Sequence, residues 1–283
     1  MQAHERRARP QAVQRYYDAT HRLYQTFWSR EGLHYGLWER DTFTLQAAIR
    51  NTDYFVGRQL GLPPGSRVLD AGCGVGGTAR NLARTLGHRV TGVTLSEVQA
   101  GHARAKIKRA GLESLVDVQE EDYTRLPFDD DSFDGIYSVE ALCHAGDKSK
   151  ALREFKRVLK PGGKLLVVDG FRASRRLDDD EERKAETFLE GWQVAELEPI
   201  DRFQSLAKTA GFEAVRADEL NDKIMPTARL MEAMAYTFYA PVGLPAKYGL
   251  LPHPWYLHGM ACFAQKALFE KKAFVYAAVH ATA

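Results

Sequence analysis

Glu140 and His144 stand four residues apart in "SVEALCHAGDK" (138–148). A carboxylate beside an imidazole is a sensible pair for moving a proton near neutral pH. If the chain is helical there, both side chains share one face. The plainer alternative is a Glu–His hydrogen bond that only fixes a loop. A second group lies upstream, where Asp70 leads into Gly72, Cys73, Gly74 and Gly76 in "VLDAGCGVGG" (68–77). Glycine allows positive φ and lets a ligand approach the backbone closely. A helix that follows turns unpaired N–H groups toward a phosphate or carboxylate. Turns of this kind hold nucleotides.

What is missing narrows the nucleotide. The spacing Gly72-x-Gly74-x-Gly76 is not the G-x-G-x-x-G of a dinucleotide site. The second strand ends in "GVTLS" (92–96), without the carboxylate that takes a ribose in such sites. No Gly-Lys-Ser/Thr follows the turn, which excludes a phosphate loop. His253 and His258 in "LLPHPWYLHG" (250–259) have no third ligand and no H-E-x-x-H pattern, so no metal is expected.

The elements that position these residues alternate. After the turn "GLPPGS" (61–66) come the strand "RVLDAG" and the helix "GTARNLARTLG", closed by Gly87. "HRVTGVTL" is a strand, and the next helix has Ser96 as N-cap and Gly111 as its stop. "VDVQEED" and "FDGIYSVEAL" are strands. A helix from Asp147 runs toward Pro161-Gly162-Gly163, and the nearly all-apolar "KLLVVDGF" (164–171) reads as a strand covered on both faces. This alternation predicts a doubly wound, mostly parallel α/β sheet. It is extended by a helix near 201–210, a strand at "FEAVRADEL" and a last strand at "KKAFVYAAVHA". The expected division is a helical cap over 1–60, with Tyr16, Tyr17, Leu23, Tyr24 and Phe27 at helical spacing, and a core over 61–220. A lid rich in Met and aromatics follows over 221–270, and a final core strand over 271–283.

Composition sets the outer limits. The 283 residues carry a net charge of +2, which gives no strong attraction to nucleic acid or to a membrane. Arginines gather near the start (Arg6, Arg7, Arg9, Arg15, Arg22) and read as a solvated face. Cys73, Cys143 and Cys262 are too scattered for a disulfide framework and point to a reducing compartment. No apolar run is long enough to span a bilayer, and there is no signal-peptide core, so a cytoplasmic protein is expected.

"VLDAGCGVGG" resembles the first motif of class I S-adenosylmethionine-dependent methyltransferases. "LPFDDDSFDGIYSVEAL" resembles the segment around their fourth strand, and "REFKRVLKPGGKLLVVD" their next helix, turn and fifth strand. "HYGLWERDTFTLQAA" (34–48) and "VTGVTLSEVQA" (90–100) are similar to one branch: the cyclopropane fatty acid and mycolic acid synthases, the sterol 24-C-methyltransferases and the tocopherol methyltransferases. The likeness is strongest over 34–170 and weaker outside it. It implies a Rossmann-like, seven-stranded, mostly parallel sheet with helical lid segments at both ends.

The resemblance also implies S-adenosyl-L-methionine as cofactor and S-adenosyl-L-homocysteine as product. Gly72, Cys73 and Gly74 would carry the methionine and ribose parts, with Asp70 near the ammonium. Thr94, Leu95 and Gln99 would meet ribose and adenine, and a neutral glutamine amide could replace the missing carboxylate. Asp122 would accept from the adenine amino group, Tyr123 would stack on the ring, and Val139 would line the site. His34 and Tyr35 would close over the cofactor, with aromatic faces suited to a sulfonium. In the sterol-like enzymes the Glu140–His144 stretch lines the substrate, and in cyclopropane synthases the matching pair helps to hold a bicarbonate base.

The implied partner is a lipophilic acceptor such as a sterol, isoprenoid or other natural product. Carbon is favoured over oxygen or nitrogen as the atom methylated. The alternatives are a cyclopropane synthase acting on lipid chains and a catalytically silent binding protein. Neither nucleic acid nor an integral membrane span is expected. Peripheral membrane contact stays open, as does the choice between monomer and homodimer.

Overall fold

The structure is a computed structural model that describes Ser29, Gly32, residues 34–194 and residues 196–283. The arginines and the predicted helical aromatics before Trp28 lie outside the described residues.

The first described helix, α1 (Leu45–Leu60), is capped by Thr44 and turns its apolar side, including Ile49, Phe55 and Leu60, inward. The core then alternates as the spacing predicts. It runs β1 (Arg67–Ala71), α2 (Gly77–Leu86), β2 (Arg89–Thr94), α3 (Glu97–Arg109), β3 (Val116–Glu120), β4 (Phe133–Val139), α4 (Lys148–Val158) and β5 (Leu159–Arg172). Local chemistry sets the boundaries. Ser96 accepts from Gln99 N–H at the start of α3, and Asp147 accepts from Lys150 N–H at the start of α4. Gly87, at φ 68°, closes α2 in the left-handed conformation.

One boundary differs from the sequence reading. Helix α4 stops at Val158, and "LKPGG" belongs to β5. Leu159 pairs with Phe133, while Gly162 N–H donates to Ala283 O and Ala283 N–H to Gly163 O, so the end of the last strand captures the turn.

The chain continues through α5 (Asp179–Gly191), α6 (Ile200–Thr209), β6 (Glu213–Glu219), α7 (Asn221–Phe238), a π turn at Tyr239–Gly243, α8 (Leu244–Lys247), α9 (His253–Glu270) and β7 (Phe274–Thr282). The seven strands lie in the order β3-β2-β1-β4-β5-β7-β6. β7 runs antiparallel to both neighbours, and the other pairings are parallel. Both faces are covered. Val68, Tyr137, Leu166 and Val168 pack into one core, and Leu69, Ile136 and Val167 into the other. Such two-sided burial, at about 1.5–3 kcal/mol for each large apolar side chain, explains the unbroken apolar run in β5.

A roof lies over the carboxyl ends of β1, β4 and β5. It consists of α7 and α9, the strap His34–Glu39, and α5. The strap is not helical. Helix α5, which the sequence reading counted with the core, crosses α9 so closely that a Cβ on Gly191 would lie 2.4 Å from Leu257 O.

Candidate active site

The glycine turn leaves β1 with Gly72 at φ 98° and Gly74 at φ 51°. A Cβ on Gly72 would sit 2.2 Å from Ala141 Cβ, so this position tolerates no side chain. A Cβ on Gly74 would meet nothing within 4 Å, so the turn opens there onto free space. Gly72 and Cys73 both donate their N–H to Val93 O, which ties the turn to β2. Arg80, buried in α2, donates to Val75 O and Gly76 O and braces the turn from behind. Helix α2 itself begins without a side-chain cap.

A single cavity runs from this turn to the roof. On its first side lie Asp70, Gly72, Cys73 and Gly74, then Thr94, Leu95 and Gln99, with Tyr123 and Val139 beside them. Thr94 donates its hydroxyl to Gln99 Oε1 at 3.0 Å, which leaves the Gln99 NH₂ as the end for an outside partner. Tyr123 is buried, and its hydroxyl donates to Ala141 O. Of the predicted site residues, Asp122 alone does not line the cavity. Its carboxylate accepts from Thr124 N–H at 2.8 Å, a local Asx turn.

Glu140 and His144 both reach the cavity, but not from one helical face. Glu140 has φ 48°, and the short 3₁₀ turn Leu142–His144 starts only after it. The left-handed residue re-aims the chain as it leaves β4. Glu140 Oε1 accepts two bonds of 2.7 Å, from the N–H of Tyr35 and the hydroxyl of Tyr276. His144 Nδ1 faces Gln193 O at 3.4 Å, so the carbonyl makes this nitrogen the N–H donor. Burial lowers His144 to about 4, and its imidazole is neutral at physiological pH.

The electrostatics of the cavity are acidic. Burial raises Asp70 to about 7 against the hydroxyl of Tyr137, which donates to it at 2.8 Å. Burial raises Glu140 to about 7 against His34 and its two donors. Burial raises Asp169 to about 6 against the N–H groups of Cys143 and Gly170. His34 behaves in the opposite way. Burial would lower it, but Asp53, 3.7 Å away, and Glu140 outweigh this and carry it up to about 9. Asp53 also accepts from Thr78 and Asn81, so the charged pair fixes the strap to α2. Three carboxylates held near neutrality by desolvation are the donor set for a cation that arrives from solvent. Together with the open side of Gly74 and the NH₂ of Gln99, they fit S-adenosylmethionine.

The roof side is apolar. Phe188 and Trp192 come from α5 and its end, Val194 and Leu197 from the loop after it, Met231 from α7 and Phe269 from α9. Asp169, Tyr276 and Arg80 escaped the sequence reading. For Asp169 a signal existed, because it follows the apolar run of β5 as Asp70 follows Val68 and Leu69 in β1. Tyr276 carries none, since nothing in "KKAFVYAAVHA" distinguishes an aromatic that faces a site from one that faces the core.

A model of a methyltransferase domain matches residues 69–167. The methyltransferase GfsG of Streptomyces halstedii is 33% identical over 240 residues, which are 84% of this chain and 81% of that one. The chain belongs to the class I S-adenosylmethionine-dependent methyltransferases. Within them, this methyltransferase is 34% identical over 210 residues to a sterol 24-C-methyltransferase of Gibberella zeae. That match covers 74% of this chain and 55% of the relative, so the chain spans about half the length of that sterol enzyme. Among solved structures, the [4+2]-cyclase SpnF superposes with a TM-score of 0.76 at 27% identity, over 96% of this methyltransferase and 95% of that chain. No described helix is long and apolar enough to cross a membrane.

Proposed function

We propose that the protein transfers the methyl group of S-adenosylmethionine to a carbon of a lipophilic small molecule, of the sterol, isoprenoid or natural-product kind. The observation that carries this reading is one cavity with two unlike ends. A carboxylate-lined glycine turn forms one end, and the apolar, aromatic roof forms the other. The cofactor supplies an electrophilic methyl on a sulfonium. Gly72, Cys73 and Gly74 shape the turn that receives it, Asp70 faces its ammonium, and Thr94, Leu95 and Gln99 take the ribose and adenine side. Tyr123, Val139, His34 and Tyr35 enclose it.

The roof excludes water and orients the acceptor, which can contribute ~7–11 kcal/mol in favourable cases. Tyr35, Tyr276, Trp192 and Phe269 offer ring faces to positive charge that develops on an alkene carbon. Glu140 Oε1 is held by two donors, and Oε2 takes no hydrogen bond among the described residues, which suits it to accept the proton then lost. A second reading, methylation of a hydroxyl, rests on the place of His144 in the cavity, where its neutral imidazole can orient a hydroxyl even though burial makes it a weaker base. Three unpaired cysteines suit a cytoplasmic setting.

The test uses S-adenosylmethionine labelled with ¹³C in the methyl group and a panel of lipophilic alkenes and alcohols. A product methyl on carbon, read by its NMR shift, supports the first reading, and a methyl on oxygen replaces it with the second. Tight cofactor binding with no labelled product from any acceptor would overturn both and leave a binding protein.

A further inference from the structure

Gln265 is fully buried in α9, among the apolar residues Ala261, Cys262, Ala264 and Leu268. An amide is costly to bury without partners. Gln265 Oε1 accepts the hydroxyl of Tyr35, and Nε2 lies 3.3 Å from Met231 Sδ, a weak acceptor. Tyr35 in turn donates its backbone N–H to Glu140 Oε1. The contacts therefore run without a gap from α7 through α9 and the strap to the end of β4. The strap is also held on its other sides. Thr52 of α1 donates to Tyr35 O, and Thr227 of α7 donates to Gly36 O while accepting from the indole of Trp38. Tyr35 cannot reach Glu140 independently of the helices that clamp it.

We propose that Gln265 is a positioning residue for Glu140, acting through Tyr35, so that the lid helices as well as the sheet fix where the site carboxylate stands. This inference rests on the reading above, in which Glu140 serves the methyl-transfer site. Met231 and Phe269, neighbours of Gln265 on α7 and α9, line the acceptor end of the cavity. The element that touches the acceptor is thus the one that sets Glu140. The groups facing Glu140 are His34 and Tyr35 of the strap, Tyr276 of β7, Asp169 of β5 and Cys143 of the 3₁₀ turn. None of these residues is itself substituted in Gln265→Met.

The experiment labels the full chain with glutamate ¹³C-enriched at the carboxyl carbon and follows its titration by NMR, with the Glu140 signal assigned by its loss in Glu140→Gln. Gln265→Met keeps the volume and removes the acceptor for Tyr35. The expected result is a rise of the Glu140 midpoint by about one pH unit, because a loosened N–H bond no longer favours the charged form. Tyr35→Phe removes the same contact while keeping Gln265, and should give the same rise, with the double variant no further. Leu268→Ala, a cavity in the same helix, should lower the melting temperature and leave the midpoint in place. A midpoint that moves in neither Gln265→Met nor Tyr35→Phe, or that moves equally in Leu268→Ala, overturns the proposal. Calorimetry of the wild type with S-adenosylmethionine keeps the two readings apart. Absent binding there sinks the proposed function, while the titration still decides the role of Gln265.

Discussion

The two ends of the cavity are made in different ways. The cofactor end is short-range. Asp70, Gly72 and Gly74 lie within five residues, and Thr94 and Gln99 are hydrogen-bonded across one helix start. The roof end is long-range. Tyr35 meets Gln265 across 230 positions of sequence, and Tyr276 meets Glu140 across 136. A backbone turn with fixed φ values admits little variation. A roof of apolar side chains can change shape while the turn beneath it stays the same. The comparison assigns the fixed chemistry to the turn and the choice of acceptor to the roof, and each assignment can be broken separately.

The largest effect should come from Gly72→Ala. Its Cβ would lie 2.2 Å from Ala141 Cβ. We expect the dissociation constant for S-adenosylmethionine, measured by calorimetry, to rise more than about 100-fold, the order set by an overpacked site of about 3 kcal/mol. Trp192→Ala is the counterpart in the roof. It should leave cofactor affinity within about threefold and strip turnover of the acceptor, since truncating an aromatic anchor costs at least ~2 kcal/mol of its binding. If Trp192→Ala loses the cofactor as severely as Gly72→Ala, the division of the cavity is wrong.

Glu140→Gln should come next, with a fall in kcat of about 100-fold, the lower end of the range for a lost proton acceptor, and retained cofactor binding. Single-turnover rates with labelled cofactor would read it. A variant with full kcat would transfer the base role to His144 and with it favour oxygen as the methylated atom.

Proton linkage gives a smaller, graded effect. Asp70 and Glu140 hold their protons up to about pH 7, and Asp169 up to about 6. A cationic ligand must displace those protons, so affinity for S-adenosylmethionine should rise with pH between about 5 and 7 and then level off. The sulfonium-free product S-adenosylhomocysteine should show a shallower slope in the same calorimetric series. The ligand-free protein should respond in the other direction. Above pH 6.5 the unfolded histidine is neutral while His34 keeps its proton to about 9, so the stability it adds is lost as pH rises through that window. The melting temperature without ligand should therefore fall from pH 6.5 to 9. A melting curve that rises over this range would show that the His34–Asp53 pair is not charged.

The same contrast explains how much could be read from sequence. The alternation of strands and helices follows from local rules: glycine where φ is positive, Ser96 and Asp147 as caps of their helices, and apolar runs where both faces are covered, whereas the residues expected around the cofactor beyond the glycines came with the family resemblance. Asp122 is the instructive exception, because its position after β3 suited a ligand while a local Asx turn engages its carboxylate. In the roof the periodicity located helices but could not say which faces meet. Nothing local marks Gln265 as the partner of Tyr35, or places α5 over α9. Glu140 was found for its chemistry, yet its left-handed φ and its two donors depend on β7 and on the strap, both distant in sequence.

The smallest predicted effect tests whether the strap is a structural clamp throughout or a site element only at its end. Thr227 is fully buried in α7 and joins Gly36 O and the Trp38 indole, one and three positions after Tyr35 in the strap. Thr227→Val keeps the shape, removes one donor and one acceptor, and should cost about 1–3 kcal/mol of stability, the range for buried partners left unsatisfied. Because Tyr35 is also held by Thr52 from α1, the Tyr35–Glu140 bond should survive. Thermal unfolding would then shift while cofactor affinity and the Glu140 titration stay in place. A Glu140 midpoint that moves with Thr227→Val would extend the positioning chain through the whole strap, and the roof would then have to be treated as one rigid unit with the site.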